Sequence, residues 1–130
     1  MIAAELRLPW PDRRLSPNAR IHWARRSKLV KMARIETAWY VTVAAGWNKI
    51  ALPDGRLHLW LDYYPPDRRQ RDTDNCLSAS KAQIDGIADA LGIDDHRFVP
   101  HPYLKDEVRK GGEIRVRLTG GPDAAPIVPR

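Results

Sequence analysis

The chain has one cysteine, Cys76, so no intramolecular disulfide can form and no cysteine-built zinc site is available. The four histidines, His22, His58, His96 and His101, do not fall at zinc-ligand spacings. No apolar run approaches the ~18 residues of a membrane span, so no membrane association is expected. The first residues, MIAAELRLPWPDRR, lack the basic start and long apolar stretch of a secretory signal. No GxxxxGK[ST] phosphate loop is present, which argues against nucleoside-triphosphate hydrolysis. No spacing suggests a Ser/His/Asp or Cys/His nucleophile. A reducing cytoplasm is the expected setting.

Positive charge is what the chain has in excess. Over 130 residues, 22 Lys and Arg stand against 16 Asp and Glu, a formal net charge of +6. That balance points to a polyanionic partner, above all nucleic acid. Hydrophobic content of 43% suits one globular domain. Arg20, Arg25, Arg26, Lys28, Lys31 and Arg34 occur with no acid until Glu36, and Trp23 lies among them. Such a face gives salt-sensitive, sequence-independent affinity for phosphates; the alternative is a merely solvated helix surface.

The pattern predicts α/β, in the order β-α-β-α-β-β, with a mixed sheet packed against two helices. Residues 2–9 and 57–64 read as strands. Residues 23–46 read as a helix, with Leu29, Met32, Ile35, Trp39 and Val43 sharing an apolar face. A second helix is expected over 75–91, closed by Gly92. Residues 97–108, interrupted by Pro100 and Pro102, read as an edge strand. Gly111 and Gly112 suggest a hairpin into a last strand at 113–119. Residues 1–119 form the expected domain and 120–130 a flexible tail.

The segment Asp67-Arg68-Arg69-Gln70-Arg71-Asp72-Thr73-Asp74-Asn75 carries most of the chemistry. In an extended segment alternate residues point the same way, so Asp72 and Asp74 can converge. Converging carboxylates suit a hard cation, Mg²⁺ or alternatively Mn²⁺. The competing reading makes Asp74 a helix N-cap. Arg68, Arg69 and Arg71 are candidate phosphate contacts or plain ion-pair partners. Lys81 follows Asp74 by two helical turns and can offset charge on a reacting phosphate; alternatively it makes a surface pair with Asp85 at i+4. Asp94 and Asp95 follow the second helix, where Asp is also common in turns.

Taken together, these residues resemble the RusA family of Holliday-junction resolvases. Leu8–Pro11 with Ser16-Pro17-Asn18 resembles the family's opening strand and Asn-containing loop. Residues 66–75 resemble its arginine-rich D-x-D-N core, and Leu91-Gly92-Ile93-Asp94-Asp95 its second acidic site. The resemblance spans roughly residues 4–119. It implies a homodimeric, Mg²⁺-dependent endonuclease that cuts four-way DNA junctions symmetrically, in recombination and repair. Asp72, Asp74 and Asp95 take the catalytic metal-ligand positions, with Asp94 the adjacent alternative. The family's lysine position corresponds to Ser78 here, so Lys81, one turn on, is the available substitute. The DNA contacts would come from Asn18, Arg25, Arg26, Lys28, Lys31, Arg68, Arg69 and Arg71. The implied source is bacterial, with a phage or prophage gene as the alternative. A nuclease on other branched DNA, and a non-catalytic basic DNA-binding module, are the competing functions.

Overall fold

A computed structural model describes residues 2–121, with the side chain of Ile2 left aside. The β-rich and helix-rich parts alternate along the chain and form two compact units. The first holds the residues up to Trp10, Ala51–Gln70 and those from His96 on; the second holds Pro11–Ile50 and Arg71–Asp95.

The first unit is a mixed sheet of four strands among the described residues: β1 (Ile2–Pro9), β2 (Leu57–Tyr64), β3 (Phe98–Leu104) and β4 (Glu113–Gly120), in the order β1-β4-β2-β3. β4 lies antiparallel to both β1 and β2, while β3 runs parallel to β2. A parallel pair needs a long crossover, and residues 65–97 supply it. The hairpin expected at Gly111-Gly112 is not formed. β3 and β4 are not neighbours, because β4 inserts between β1 and β2. β3 is the edge strand that Pro100 and Pro102 imply, since an edge leaves one side of the backbone unpaired.

Strand alternation sets the two sheet faces. Leu57, Leu59, Leu61 and Tyr63 of β2 are fully buried, as are Ile114, Val116 and Leu118 of β4. Trp60 and Asp62, on the opposite face of β2, are also buried. Trp60 donates its indole N–H to Thr119 Oγ1 at 2.9 Å. Asp62 meets Arg117 at 3.2 Å and Lys105 at 3.8 Å. His101 stacks on Trp60 with centroids 4.0 Å apart and meets His58 Nδ1 through Nε2 at 2.9 Å. Burial, and then the neighbouring His58, hold the His101 pKa below its ordinary value. Two histidines 43 residues apart thus meet across adjacent strands, which sequence spacing does not reveal. The expected tail starts one residue too early, because Gly120 ends β4 and is buried. Residues 122–130 lie outside the described residues.

The second unit holds three α-helices among the described residues: α1 (Trp23–Trp39), α2 (Thr73–Ala79) and α3 (Lys81–Leu91). His22 caps α1, its Nδ1 accepting the Ala24 N–H at 3.2 Å. After Trp39 the helix widens into a π turn at Tyr40–Ala44. The single helix expected over 75–91 is two. Ser80, at φ −96° and ψ 5°, breaks it, and its buried hydroxyl donates to the Leu77 carbonyl at 3.1 Å. A serine whose hydroxyl bonds back to the preceding turn favours a bend.

Met32, Ile35, Trp39 and Val43, four of the five residues read as the apolar face of the first helix, are 50–63% exposed. Thr37 and Val41 are the residues buried instead. The cause is how near α1 comes to α3. A Cβ on Gly86 of α3 would stand 2.6 Å from the Arg34 carbonyl oxygen and 2.8 Å from Thr37 Cβ. Backbones at that separation admit only small side chains between them, so the large apolar residues of α1 remain outside.

Candidate functional site

After β2 the chain passes Pro65 and Pro66 into a charged loop. Asp67 Oδ1 accepts the Arg69 backbone N–H at 2.9 Å, a side-chain turn of the kind Asp favours. Arg68 and Arg69 are exposed; Arg71 is half-buried. Asp72 keeps extended backbone, φ −123° and ψ 158°, and is the N-cap of α2. Its Oδ1 accepts the Asn75 N–H at 2.8 Å and its Oδ2 accepts the Asn75 side-chain N–H at 3.0 Å. The cap is therefore Asp72 rather than Asp74. Asp74 is exposed in the first helical turn and makes no hydrogen bond or ion pair. Because Thr73 and Asp74 are already helical, the alternation argument for convergence of the two carboxylates does not apply here.

The second acidic segment is brought back by a glycine. Gly92 ends α3 at φ 68°, ψ 32°, and the Ile93 N–H reaches the Ala88 carbonyl at 3.1 Å. This left-handed cap reverses the chain. Asp95 Oδ2 then meets Lys81 Nζ at 2.5 Å, and the same ammonium reaches Asp85 Oδ1 at 2.7 Å. Burial opposes the Lys81 charge, but the bonds to Asp85 and Asp95 prevail and raise its pKa. Lys81 thus makes the surface pair with Asp85 that its i+4 spacing suggests, and it also bonds Asp95.

Asp85, Asp89, Asp94 and Asp95 line one polar cleft of about 300 Å³, with Arg34 at its wall. Arg34 is committed to Asp89 through two bonds, 2.6 and 2.8 Å, which tie α1 to α3. That bond holds the Asp89 carboxyl below its ordinary pKa. Arg34 and Lys81 between them engage three of the four carboxylates, Asp85, Asp89 and Asp95. The sequence reading passed over Asp89, although its i+4 spacing from Asp85 puts both on one face of α3. Asp72 and Asp74 do not line this cleft. Asp94, Asp95 and His96, consecutive in the chain, are the one set among the described residues whose ligand atoms lie within 4.8 Å of one another. Asp72, Asp74 and Asp95 are not gathered to that distance.

An apolar groove of about 520 Å³ opens on the other side of Lys81, walled by Leu15, Pro17, Val30, Leu77 and Ala82. Ser78 also lines it. Lys81 and Asp85 thus stand where groove and acidic cleft meet.

The basic stretch divides. Arg26 Nη1 donates to the carbonyls of Arg14 and Ser16 at 3.1 and 3.3 Å, and Nη2 to that of Leu15 at 3.0 Å. Its guanidinium clamps the turn before α1. Arg34 is held by Asp89. Arg20, Arg25, Lys28 and Lys31 are exposed and make no ion pair. Asn18 is exposed, its backbone N–H donating to Ser16 Oγ at 3.4 Å.

No family model matches the chain. An uncharacterized protein of Xylella fastidiosa is 55% identical over 116 residues, covering 88% of this chain and 75% of that protein. The chain belongs to the same family as that protein. The relative's description states no activity.

Proposed function

We propose that the protein is a Mg²⁺-dependent endonuclease on branched DNA, resolving four-way junctions by paired phosphodiester hydrolysis as a homodimer. The observation that carries this reading is the return of Asp95 to the Lys81 ammonium, beside a cleft lined by four carboxylates. It brings the Gly-Ile-Asp-Asp turn, one of the motifs of the RusA resemblance, back to the first residue of α3.

The donor set suits a hard cation, because every candidate ligand is a carboxylate oxygen. Asp72, Asp74 and Asp95 would hold Mg²⁺, or Mn²⁺ in its place, with Asp94 adjacent. When bound, the metal would activate a water and neutralise charge on the scissile phosphate. To serve as a ligand Asp95 would give up its bond to Lys81, and Lys81, still paired with Asp85, would offset charge on the phosphate. Arg25, Lys28, Lys31 and Arg68 would hold the arms of the junction through their phosphates. The setting in this reading is the bacterial cytoplasm, with a phage or prophage gene as the alternative origin.

One observation favours a second reading, a basic DNA-binding module without catalysis: both oxygens of Asp72 already serve the α2 cap. The test uses Asp74→Asn, because Asp74 caps nothing. A synthetic four-way junction and a linear duplex of the same sequence are incubated with Mg²⁺ or EDTA. Paired nicks across the junction, present only with Mg²⁺ and lost in Asp74→Asn while binding persists, are expected. Binding without cutting under any divalent metal leaves the DNA-binding module. Equal cutting of flaps and forks replaces the junction with branched DNA in general.

A further inference from the structure

Two histidines share the sheet face opposite Leu57, Leu59 and Leu61. In the parallel register of β2 and β3, His101 stands beside Trp60, two residues along from His58, so both rings project to the same side. His58 Nδ1 and His101 Nε2 face each other at 2.9 Å, and neither ring makes another hydrogen bond among the described residues. The pair is held in place by its neighbours. Trp60 is buried and bonded to Thr119, and His101 lies flat on it, with ring centroids 4.0 Å apart and planes 12° from parallel. Pro100 and Pro102, on either side, restrict the backbone around His101. Both histidines are half-buried, so the pair stays open to solvent.

We propose that His58 and His101 form a chelating site for a borderline divalent transition-metal ion, of the class of Zn²⁺, Ni²⁺ or Cu²⁺. Imidazole nitrogen suits these ions, whereas Mg²⁺ takes oxygen. The spacing fits them. With metal–nitrogen bonds of ~2.0–2.1 Å, two ligand nitrogens stand roughly 2.8–3.4 Å apart for bond angles from square to tetrahedral. Without the ion, one ring donates its N–H to the other. On binding, that proton moves to the outer nitrogen of the same ring, both inner lone pairs take the ion, and both rings stay neutral. Burial and the neighbouring His58 already favour the neutral form of His101. The His58 ring, 6.0 Å from Trp60, is the looser of the two and turns to admit the ion. Two imidazoles leave further coordination positions to water, so this is an open site whose ion exchanges, not a closed structural centre. The ion also ties the edge strand β3 to β2. It therefore favours the folded chain, because in the unfolded chain the two residues are 43 positions apart. The site differs from the proposed nuclease centre in both its residues and its metal class.

Calorimetric titration of the full chain with ZnCl₂ or NiCl₂, in a buffer that does not chelate, tests it. Binding is expected that excess Mg²⁺ does not displace, together with a rise in melting temperature as the ion is added. His58→Gln and His101→Gln should each weaken it at least about tenfold, since even the outer partners of metal ligands are worth that much. In the wild type, Zn²⁺ should shift the ring signals of His58 and His101 in nuclear magnetic resonance, a readout that needs no variant to fold. Absence of binding overturns the inference, as does binding that survives both substitutions. So does binding lost only in His96→Gln, which puts the ion at Asp94, Asp95 and His96 instead. Cleavage assays play no part in this readout, so its failure and that of the nuclease reading are separable.

Discussion

α1 and α3 touch, yet they bury opposite kinds of residue. α3 turns Ala82, Ile84, Ile87 and Ala88 inward, as its apolar pattern predicts. α1 buries Thr37 and leaves Met32, Ile35 and Trp39 in solvent. Hydrophobic periodicity identifies residues that share a helix face. It does not say which face the protein covers. Where two backbones come as close as those at Gly86, steric size selects the small side, and the apolar side is left in solvent.

Gly86→Val attacks that close approach directly and should have the largest effect. Added carbons would meet the Arg34 carbonyl and Thr37, both on helix backbone or close to it, and neither can retreat cheaply. A loss of about 3 kcal/mol or more is expected, at the upper end for overpacking. Urea unfolding measures it. A Gly86→Val protein as stable as wild type would show that α1 and α3 can separate at little cost, and the contrast drawn between them would fall.

Ile87→Ala against Ile35→Ala sharpens the same contrast with one chemistry at two sites. Ile87 is fully buried, so its truncation should cost about 2–5 kcal/mol through lost transfer energy and a residual cavity. Ile35 is 57% exposed, and its truncation should stay within about 0.5 kcal/mol in dilute solution.

The strands were legible because β2 and β4 alternate, and the prolines marked β3 as an edge. Their pairing was not. Nothing local to Gly111-Gly112 reveals that β1 and β2 enclose β4, since those contacts join residues far apart in the chain, such as Tyr64 and Glu113. At the candidate site the acids stood out by composition, and the Lys81–Asp85 pair by its spacing. The return of Asp95 to Lys81 needed the left-handed turn at Gly92, and the break at Ser80 needed a hydroxyl bonded to its own helix. The loss of Arg26 from the free basic face was hidden as well. Three carbonyls presented by one turn are a property of the folded loop, not of residue type.

Asp72 and Asp74 allow a smaller comparison at the start of α2. Asp72→Ala removes the cap on the Asn75 N–H and should cost about 1 kcal/mol. Asp74→Ala loses only a favourable charge in the first turn, about 0.3 kcal/mol. Thermal melts of both variants measure the pair. Equal losses would mean that Asp74 also holds a partner in solution, and Asp74→Asn would then no longer separate catalysis from stability.

The Arg34–Asp89 bridge between α1 and α3 should have the smallest effect. Both side chains are more than a third exposed, 48% and 41%, so water screens the pair and its removal shifts the melting temperature only slightly. Its pH dependence is more informative than its size. Asp89 has its pKa lowered by the Arg34 bond, so the folded chain holds that carboxylate ionised more readily than the unfolded chain does. The bridge's contribution is therefore complete above the ordinary carboxylate value of 3.8 and declines as pH falls through the lower folded value. The difference in melting temperature between wild type and Arg34→Gln should persist at neutral pH and shrink on acidification. Other carboxylates titrate in both proteins and cancel in the difference. A gap that widens in acid would mean that Arg34 steadies the α1–α3 contact by packing its stem rather than by its charge, and the steric account centred on Gly86 would extend to this neighbouring residue.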